Sequence, residues 1–380
     1  MHLAGIVISI LLASKPAVDR ASDHDRSPIR ASGGTDARGE AVAAGLKWLL
    51  ARQAADGGWD FDRKPAGIGN EAKSRTEATG LALLSFLSVG QTIEQGRDGE
   101  PLRRAVEFLR TQGKPASAGI DLQGQGGTML SHAIAATAVC ELYGMLKQPN
   151  PQLKELAQAA IDFSRATQKP SGGWSYYPGK PVDLRVTGWQ IMALYSGYRA
   201  GLIVPERLFV GADKFLDRVY DNTRKSYGFT EPDADSVATA IGLLSRVYLG
   251  RRLTDPALRR QVEGIETHAL AVDAEYNFFA ANLVNQLRQG KRSSWQELRD
   301  REIAKAQVRK PPETGSWADY KVGDVRHDRL EATAFSLMTL GVWYRYRPLF
   351  YLRDSQPQVM TDPDLPRIEP RSLFDQPETP

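Results

Sequence analysis

Lys47-Trp48-Leu49-Leu50-Ala51-Arg52-Gln53-Ala54-Ala55-Asp56-Gly57-Gly58-Trp59 and Phe163-Ser164-Arg165-Ala166-Thr167-Gln168-Lys169-Pro170-Ser171-Gly172-Gly173-Trp174 are two copies of one pattern. In both, an aromatic residue opens an amphipathic stretch, Gln stands six positions before Trp, and Gly-Gly precedes the Trp. Weaker copies surround them: Phe108-Leu109-Arg110-Thr111-Gln112 with a Gly-rich loop, Phe215-Leu216 followed by Tyr227-Gly228-Phe229, and a late Gly315-Ser316-Trp317. The aromatic landmarks Trp48, Phe108, Phe163 and Phe215 are spaced 60, 55 and 52. Self-similarity at such a period is the signature of a repeat architecture and decides the fold before any single element does.

A second, more apolar stretch follows each turn. Glu77-Ala78-Thr79-Gly80-Leu81, Arg185-Val186-Thr187-Gly188-Trp189, Ser236-Val237-Ala238-Thr239-Ala240 and Glu331-Ala332-Thr333-Ala334-Phe335 align on their Thr. His132 to Leu142 and Asn277 to Val284 fill the two missing slots, which makes six repeats. Each repeat reads as two helices. The first has charges on one face, as in Ala105-Val106-Glu107-Phe108-Leu109-Arg110, and belongs on the outside; the second is apolar nearly all round and belongs in the interior. One hairpin cannot bury such an inner helix, whereas stacked neighbours can. An open array would leave one inner-helix face wet, so closure into a ring is expected: an all-α α/α toroid, an α6/α6 barrel, over residues 41–353.

Composition agrees and narrows the function. Of 380 residues, 42% are hydrophobic and 25% charged, ordinary values for a globular chain. The net charge of +4 is dispersed, with no Lys/Arg block, so nucleic acid is not an expected partner. A single cysteine, Cys140, excludes an internal disulfide framework and any zinc site built on two cysteines. Leu3 to Ala13 form an apolar run of eleven, too short for an integral membrane span and of signal-peptide length. Export is therefore expected, with a cytosolic tail as the alternative. Residues 1–40 read as this leader plus a disordered linker, and 354–380, which hold six prolines, as a disordered acidic tail.

The aromatic-Leu-x-x-x-Gln…Gly-x-Trp pattern resembles the repeat of squalene cyclases and protein prenyltransferases, a family of α/α toroids of about six hairpins. The resemblance covers roughly residues 41–350 and implies that Gln53 with Trp59 and Gln168 with Trp174 staple the turns. Gln112 lacks its Trp, and Tyr220 stands where repeat four needs a Gln. The segment Glu231-Pro232-Asp233-Ala234-Asp235-Ser236-Val237-Ala238 is similar to the Pro-Asp-x-Asp-Asp-Thr-Ala acid motif of class II terpene cyclases. The likeness implies that Asp235 is the proton donor and Asp233 its like-charge neighbour, although Ser236 and Val237 replace the last Asp and the Thr. The zinc ligands of the prenyltransferase branch are missing: Val186 stands at the His position and Val237 at the Cys position, so no metal and no other cofactor is expected.

All six inner-helix starts should meet at one mouth. Glu77, His132, Arg185, Asp235 with Ser236, Asn277 and Glu331 place polar groups there, and Trp189, Phe278, Phe279 and Phe335 are candidates for the walls of an apolar pocket beneath. For each polar residue a helix cap, and for each aromatic a place in the core, is the plainer role. Two readings of function stand: a toroid that handles an isoprenoid or other apolar small molecule, with acid-initiated cyclisation at Asp235, or an exported, non-catalytic toroid that serves as a binding or scaffold module. This length holds one toroid, so a two-domain cyclase would need a second toroid or another protein partner in trans.

Overall fold

A computed structural model describes residues 37–61, 74–267, 273–288, 293–318, 320–322 and 325–342. The expected leader and acidic tail lie outside the described residues. Twelve helices among the described residues alternate outer and inner along the chain. The outer helices are α1 (Ala37–Leu50), α3 (Gly99–Gln112), α5 (Pro151–Thr167), α7 (Glu206–Arg218), α9 (Pro256–Thr267) and α11 (Ser294–Lys305). The inner ones are α2 (Arg75–Leu87), α4 (Met129–Met145), α6 (Leu184–Arg199), α8 (Ser236–Tyr248), α10 (Ala274–Arg288) and α12 (Arg329–Gly341).

The burial patterns explain this division. In α7 the buried residues are Leu208, Ala212, Phe215 and Leu216, one stripe at helical spacing with charges opposite. In α4 nearly every residue from Met129 to Met145 is buried, so it has no solvent face. The inner helices pack in the order α2, α4, α6, α8, α10, α12 and back to α2. The toroid is thus closed, as the repeat pattern requires. The weak slots at His132 and Asn277 prove to be the inner helices α4 and α10.

The repeat residues are the joints of the ring. The Gln53 amide donates to Gly57 O at 2.9 Å and to Pro101 O at 2.8 Å, tying its own turn to the outer helix of the next repeat. Gln168 does the same to Gly172 O and Leu208 O. The Trp59 and Trp174 indoles donate to Leu49 O and Ser164 O, while their backbone amides donate to Thr79 Oγ1 and Thr187 Oγ1. The Thr recurring in four inner helices, Thr79, Thr187, Thr239 and Thr333, is therefore the acceptor that docks the preceding turn. Gly172 has φ +98, and a Cβ there would lie 1.9 Å from Gly211 O in α7, so only glycine permits this approach.

The sixth repeat closes the ring through a staple that the sequence pattern conceals. Gln307 donates to Gly315 O at 2.8 Å and to Ala41 O of α1 at 2.7 Å. Its loop to Trp317 is longer than in repeats one and three, so the six-residue spacing misses it. Repeat four has a different joint within its own hairpin: the buried Arg246 of α8 reaches Asp213 and Asp217 of α7 and the Tyr227 hydroxyl, while Gln261 of the next outer helix, α9, donates to Lys225 O of the turn.

Three short antiparallel strand pairs, not expected from the sequence, join the helices: Lys114–Pro115 with Ile120–Asp121, Tyr220–Asp221 with Ser226–Tyr227, and Tyr320–Val322 with Val325–His327. No helix among the described residues is long and apolar enough to cross a membrane.

Candidate functional site

Reading along the barrel axis from the inner-helix starts, the interior has three layers. Polar side chains form the first. Arg185 of α6 reaches Glu275 of α10 with Nε 2.9 Å from Oε2, although α8 stands between those helices in the ring. The pair therefore bridges the mouth. The Arg185 guanidinium also lies over the Phe229 ring, 4.7 Å from its centroid. Burial works against its charge, but Glu275, and after it Tyr176 and Asp183, outweigh burial and raise its pKa. Burial in the same cluster raises the Tyr176 phenol, so it remains a neutral donor.

The other expected mouth residues are buried beside this pair or in the helix caps. Glu77 accepts from Ser131 Oγ at 2.7 Å, joining α2 to α4. Glu331 accepts from the Asp328 amide in a capping box at the start of α12. Asn277 is buried in the first turn of α10, where its backbone N–H donates to Asp273 O.

The second layer is aromatic and closes the barrel. Trp189, Phe278, Phe279 and Phe335 lie three or four residues after Arg185, Glu275 and Glu331, hence on the same helix faces one turn deeper. Trp189 stacks on Phe278 at 5.9 Å and 10°, with Phe279 edge-on at 5.8 Å; Phe335 is 5.7 Å from Phe278 and 6.3 Å from Trp189. The expectation that Trp189, Phe278, Phe279 and Phe335 wall an open pocket below the polar mouth is corrected here. Rings from three helices meet at the axis and bury one another, because stacking aromatic surface against itself removes it from water as fully as a ligand would.

Two further expectations change. His132 does not face the mouth. Its Nδ1 accepts from the Leu122 amide at 3.0 Å, and Nε2 faces Ser164 Oγ and Ala160 O of α5. This network assigns the proton to Nε2. Burial lowers its pKa to about 3, so it is a neutral, structural imidazole between inner and outer helices. The Asp233–Asp235 segment lies at the rim and not over the interior. The Asp235 carboxylate caps α8, accepting from Ala238 N at 2.8 Å. The exposed Asp233 accepts from its neighbour Ala234 N and sits 3.6 Å from Arg224. Neither carboxyl is enclosed: Asp233 is exposed and Asp235 half-buried.

The third layer was not anticipated. Beyond the aromatic rings, residues of α2, α4, α6, α10 and α12 line a narrow cleft whose interior, about 20 Å³, has room for about one water molecule. Leu84, Leu87, Met192, Phe278, Met338 and Val342 supply apolar walls, with Ser88, Glu141 and Asn282 as polar points. Glu141 is only 1% exposed, and its Oε1 accepts from Ser196 Oγ at 2.6 Å. The available signal was a lone acid in the otherwise apolar α4. The adjacent Cys140 thiol is buried, and burial, with Glu141 adding to it, pushes its pKa up. No group of three His, Cys, Asp or Glu side chains arranged to hold a metal occurs among the described residues.

No sequence model of a known protein family matches the chain, and no curated protein matches it. Solved structures share the fold. An α-1,6-mannanase of glycoside hydrolase family 76 from Salegentibacter sp. superposes with TM-score 0.58 at 11% identity, over 82% of this chain and 100% of its own. A family 76 mannosidase from Bacteroides thetaiotaomicron gives TM-score 0.59 at 9% identity, over 82% and 99%. A type II terpene cyclase from Scytonema aligns at TM-score 0.34 and 15% identity, over 80% and 98%. The protein is an α/α toroid. At these identities the likeness extends to the fold and singles out neither the squalene cyclases nor the mannanases.

Proposed function

We propose that this protein is a binding toroid that holds an apolar small molecule in the cleft at the C-terminal ends of its inner helices and performs no acid-initiated cyclisation. The carrying observation is the lining of the cleft: six apolar side chains from four helices around a few convergent polar groups, the usual composition of a small-molecule site. Of the two readings drawn from the sequence, the commitment of Asp235 to its helix cap and the exposure of Asp233 favour the non-catalytic one. A glycosidase reading has the fold of its neighbours behind it. It would need a pair of carboxylates free to act on a bond, and Glu77, Glu275 and Glu331 are each engaged by Ser131, Arg185 or the Asp328 amide. Export, inferred from the Leu3–Ala13 run, belongs to the same proposal.

The test is extraction of the purified protein with organic solvent and mass spectrometry of the extract, paired with displacement of the neutral fluorophore N-phenylnaphthylamine. An apolar molecule should be recovered, and Met338→Trp, which fills the cleft, should abolish both signals while circular dichroism stays that of the wild type. Retention of the bound molecule in folded Met338→Trp would sink the proposal.

A further inference from the structure

The outer helices do not all bury the same chemistry. The buried residues of α3, α5, α7 and α9 are apolar apart from Ser164, and those of α1 are apolar throughout. In α11 they are Trp295, Gln296, Arg299, Asp300 and Ala304, so among the described residues this is the one outer helix that buries charge. The charge lies at the seam with α1. Asp300 Oδ2 is 3.4 Å from Arg38 of α1, and its Oδ1 is 2.7 Å from the fully buried Arg299. The loop after α11 adds a second ionic tie. Glu313 accepts from Trp48 Nε1 at 2.9 Å and from Arg52 at 2.7 Å, with the Arg52 guanidinium 3.9 Å over the Trp48 ring. With Gln307 on Ala41 O, the last hairpin grips α1 near its start and at its end, each time through polar groups.

Such ties hold a helix less firmly than an apolar stripe does. Desolvation of a buried ion pair offsets most of its attraction, whereas hydrocarbon surface gains with all the area it removes from water. Chain connection adds to the difference. One loop joins α1 to the rest of the ring, so its release leaves every other connection in place, whereas α3, α5, α7, α9 and α11 are tethered to ring helices at both ends. We propose that α1 is a releasable strap: the folded ring opens and recloses at the seam, α1 leaving as one unit while the other hairpins stay packed, and ionic strength sets how often it opens. What α1 uncovers is the outer side of α12 and its turn, where Gly45 packs so closely that a Cβ there would lie 2.8 Å from Leu337 Cδ2 and 3.0 Å from the Trp317 ring. Salt acts on the strap because the Arg52–Glu313 pair is partly exposed, at 26% and 28%, and is screened while apolar packing elsewhere is not.

Native-state hydrogen exchange of the full-length protein, read by mass spectrometry, tests the strap. Amides from Val42 to Leu50 should exchange together, about a hundredfold faster than those of α5 and α7, because a sub-global opening needs less free energy than global unfolding. Raising NaCl from about 0.1 to about 1 M, which shortens the screening length from about 10 to about 3 Å, should speed α1 about threefold relative to α5. Glu313→Gln keeps an acceptor for Trp48 but removes the charge that holds Arg52. It should speed α1 about tenfold and leave α5 and α7 within about twofold. Protection of α1 equal to that of α5 would overturn the proposal. So would a gradient of exchange that fades inward from Arg38 and ignores Glu313→Gln, which is the fraying of any end helix. Equal acceleration of all helices by the variant would also overturn it, since that is global unfolding. If the variant does not fold, the uniformity of α1 exchange in the wild type and its response to salt decide the matter.

Discussion

Replacing Gln307 by Ala should open the ring at its seam. The Gln307 side chain is buried, and its amide donates two hydrogen bonds, to Ala41 O at 2.7 Å and Gly315 O at 2.8 Å. Truncation removes both donors and leaves two carbonyl oxygens where water enters poorly. Net loss per bond is about 1 kcal/mol, and each stranded acceptor adds to it, so the total is about 3 kcal/mol. With a urea slope of about 3 kcal/mol/M for a chain of this size, the unfolding midpoint falls by about 1 M. The same change at Gln53, which is half-buried and makes equivalent bonds to Gly57 O and Pro101 O, should cost about half as much, because water can replace its amide. Gln307→Met retains the bulk without the donors and should behave like the Ala variant. Equilibrium urea unfolding followed by far-ultraviolet circular dichroism measures all three. A Gln307→Ala midpoint within about 0.3 M of wild type, or a Gln53→Ala loss as large as that at Gln307, would refute the reasoning from burial.

Acid should weaken the fold through His132, because its folded pKa, about 3, lies below the unfolded value of 6.5. The stabilisation is fully present above the unfolded value and is lost as pH falls from there toward the folded one. Between pH 7 and 5 this amounts to about 2 kcal/mol, and comparison of urea midpoints for wild type and His132→Gln at both pH values should show that slope only in the wild type. Asp235→Ala should cost about 1 kcal/mol, the loss of one helix cap, and leave ligand displacement unchanged. A tenfold loss of binding in that variant would return the acid motif to the site.

Much of the fold was legible because its joints repeat. Gln53, Gln168, Trp59 and Trp174 recur at fixed spacing since each makes the same bonds to its own turn and, through the Gln, to the next outer helix. Gln307 escaped because the sixth loop is longer, and Arg246 because it joins the two helices of its own hairpin, which the repeat pattern does not describe. The interior was far less legible. A helix buried on every side, such as α4, has no polar face to tell axis from flank, so His132 read as a mouth residue although it points to α5. Pro-Asp-x-Asp before an apolar helix satisfies an N-cap as readily as an acid catalyst, and only the Ala238 contact distinguishes them. Arg185, Trp189 and Met192 lie on one face of α6, yet their layers depend on residues of α10 and α12 that no local spacing connects. The cleft draws one to three residues from each of five helices and has no sequence signature.

The seam between α1 and the last hairpin has a consequence for assembly. During synthesis α1 emerges first, yet its partners α11 and α12 emerge last, and the Gln307–Ala41 contact spans 266 positions. Sequential stacking of hairpins is local and rapid, whereas this final docking must close a loop nearly as long as the domain. Until then, Ala41, Val42, Leu46 and Leu49 of α1 are an unclaimed apolar stripe that fits the open end of any copy of the same chain. An exchanged α1 is accordingly the most direct route by which this toroid would dimerise or aggregate when expressed at high concentration.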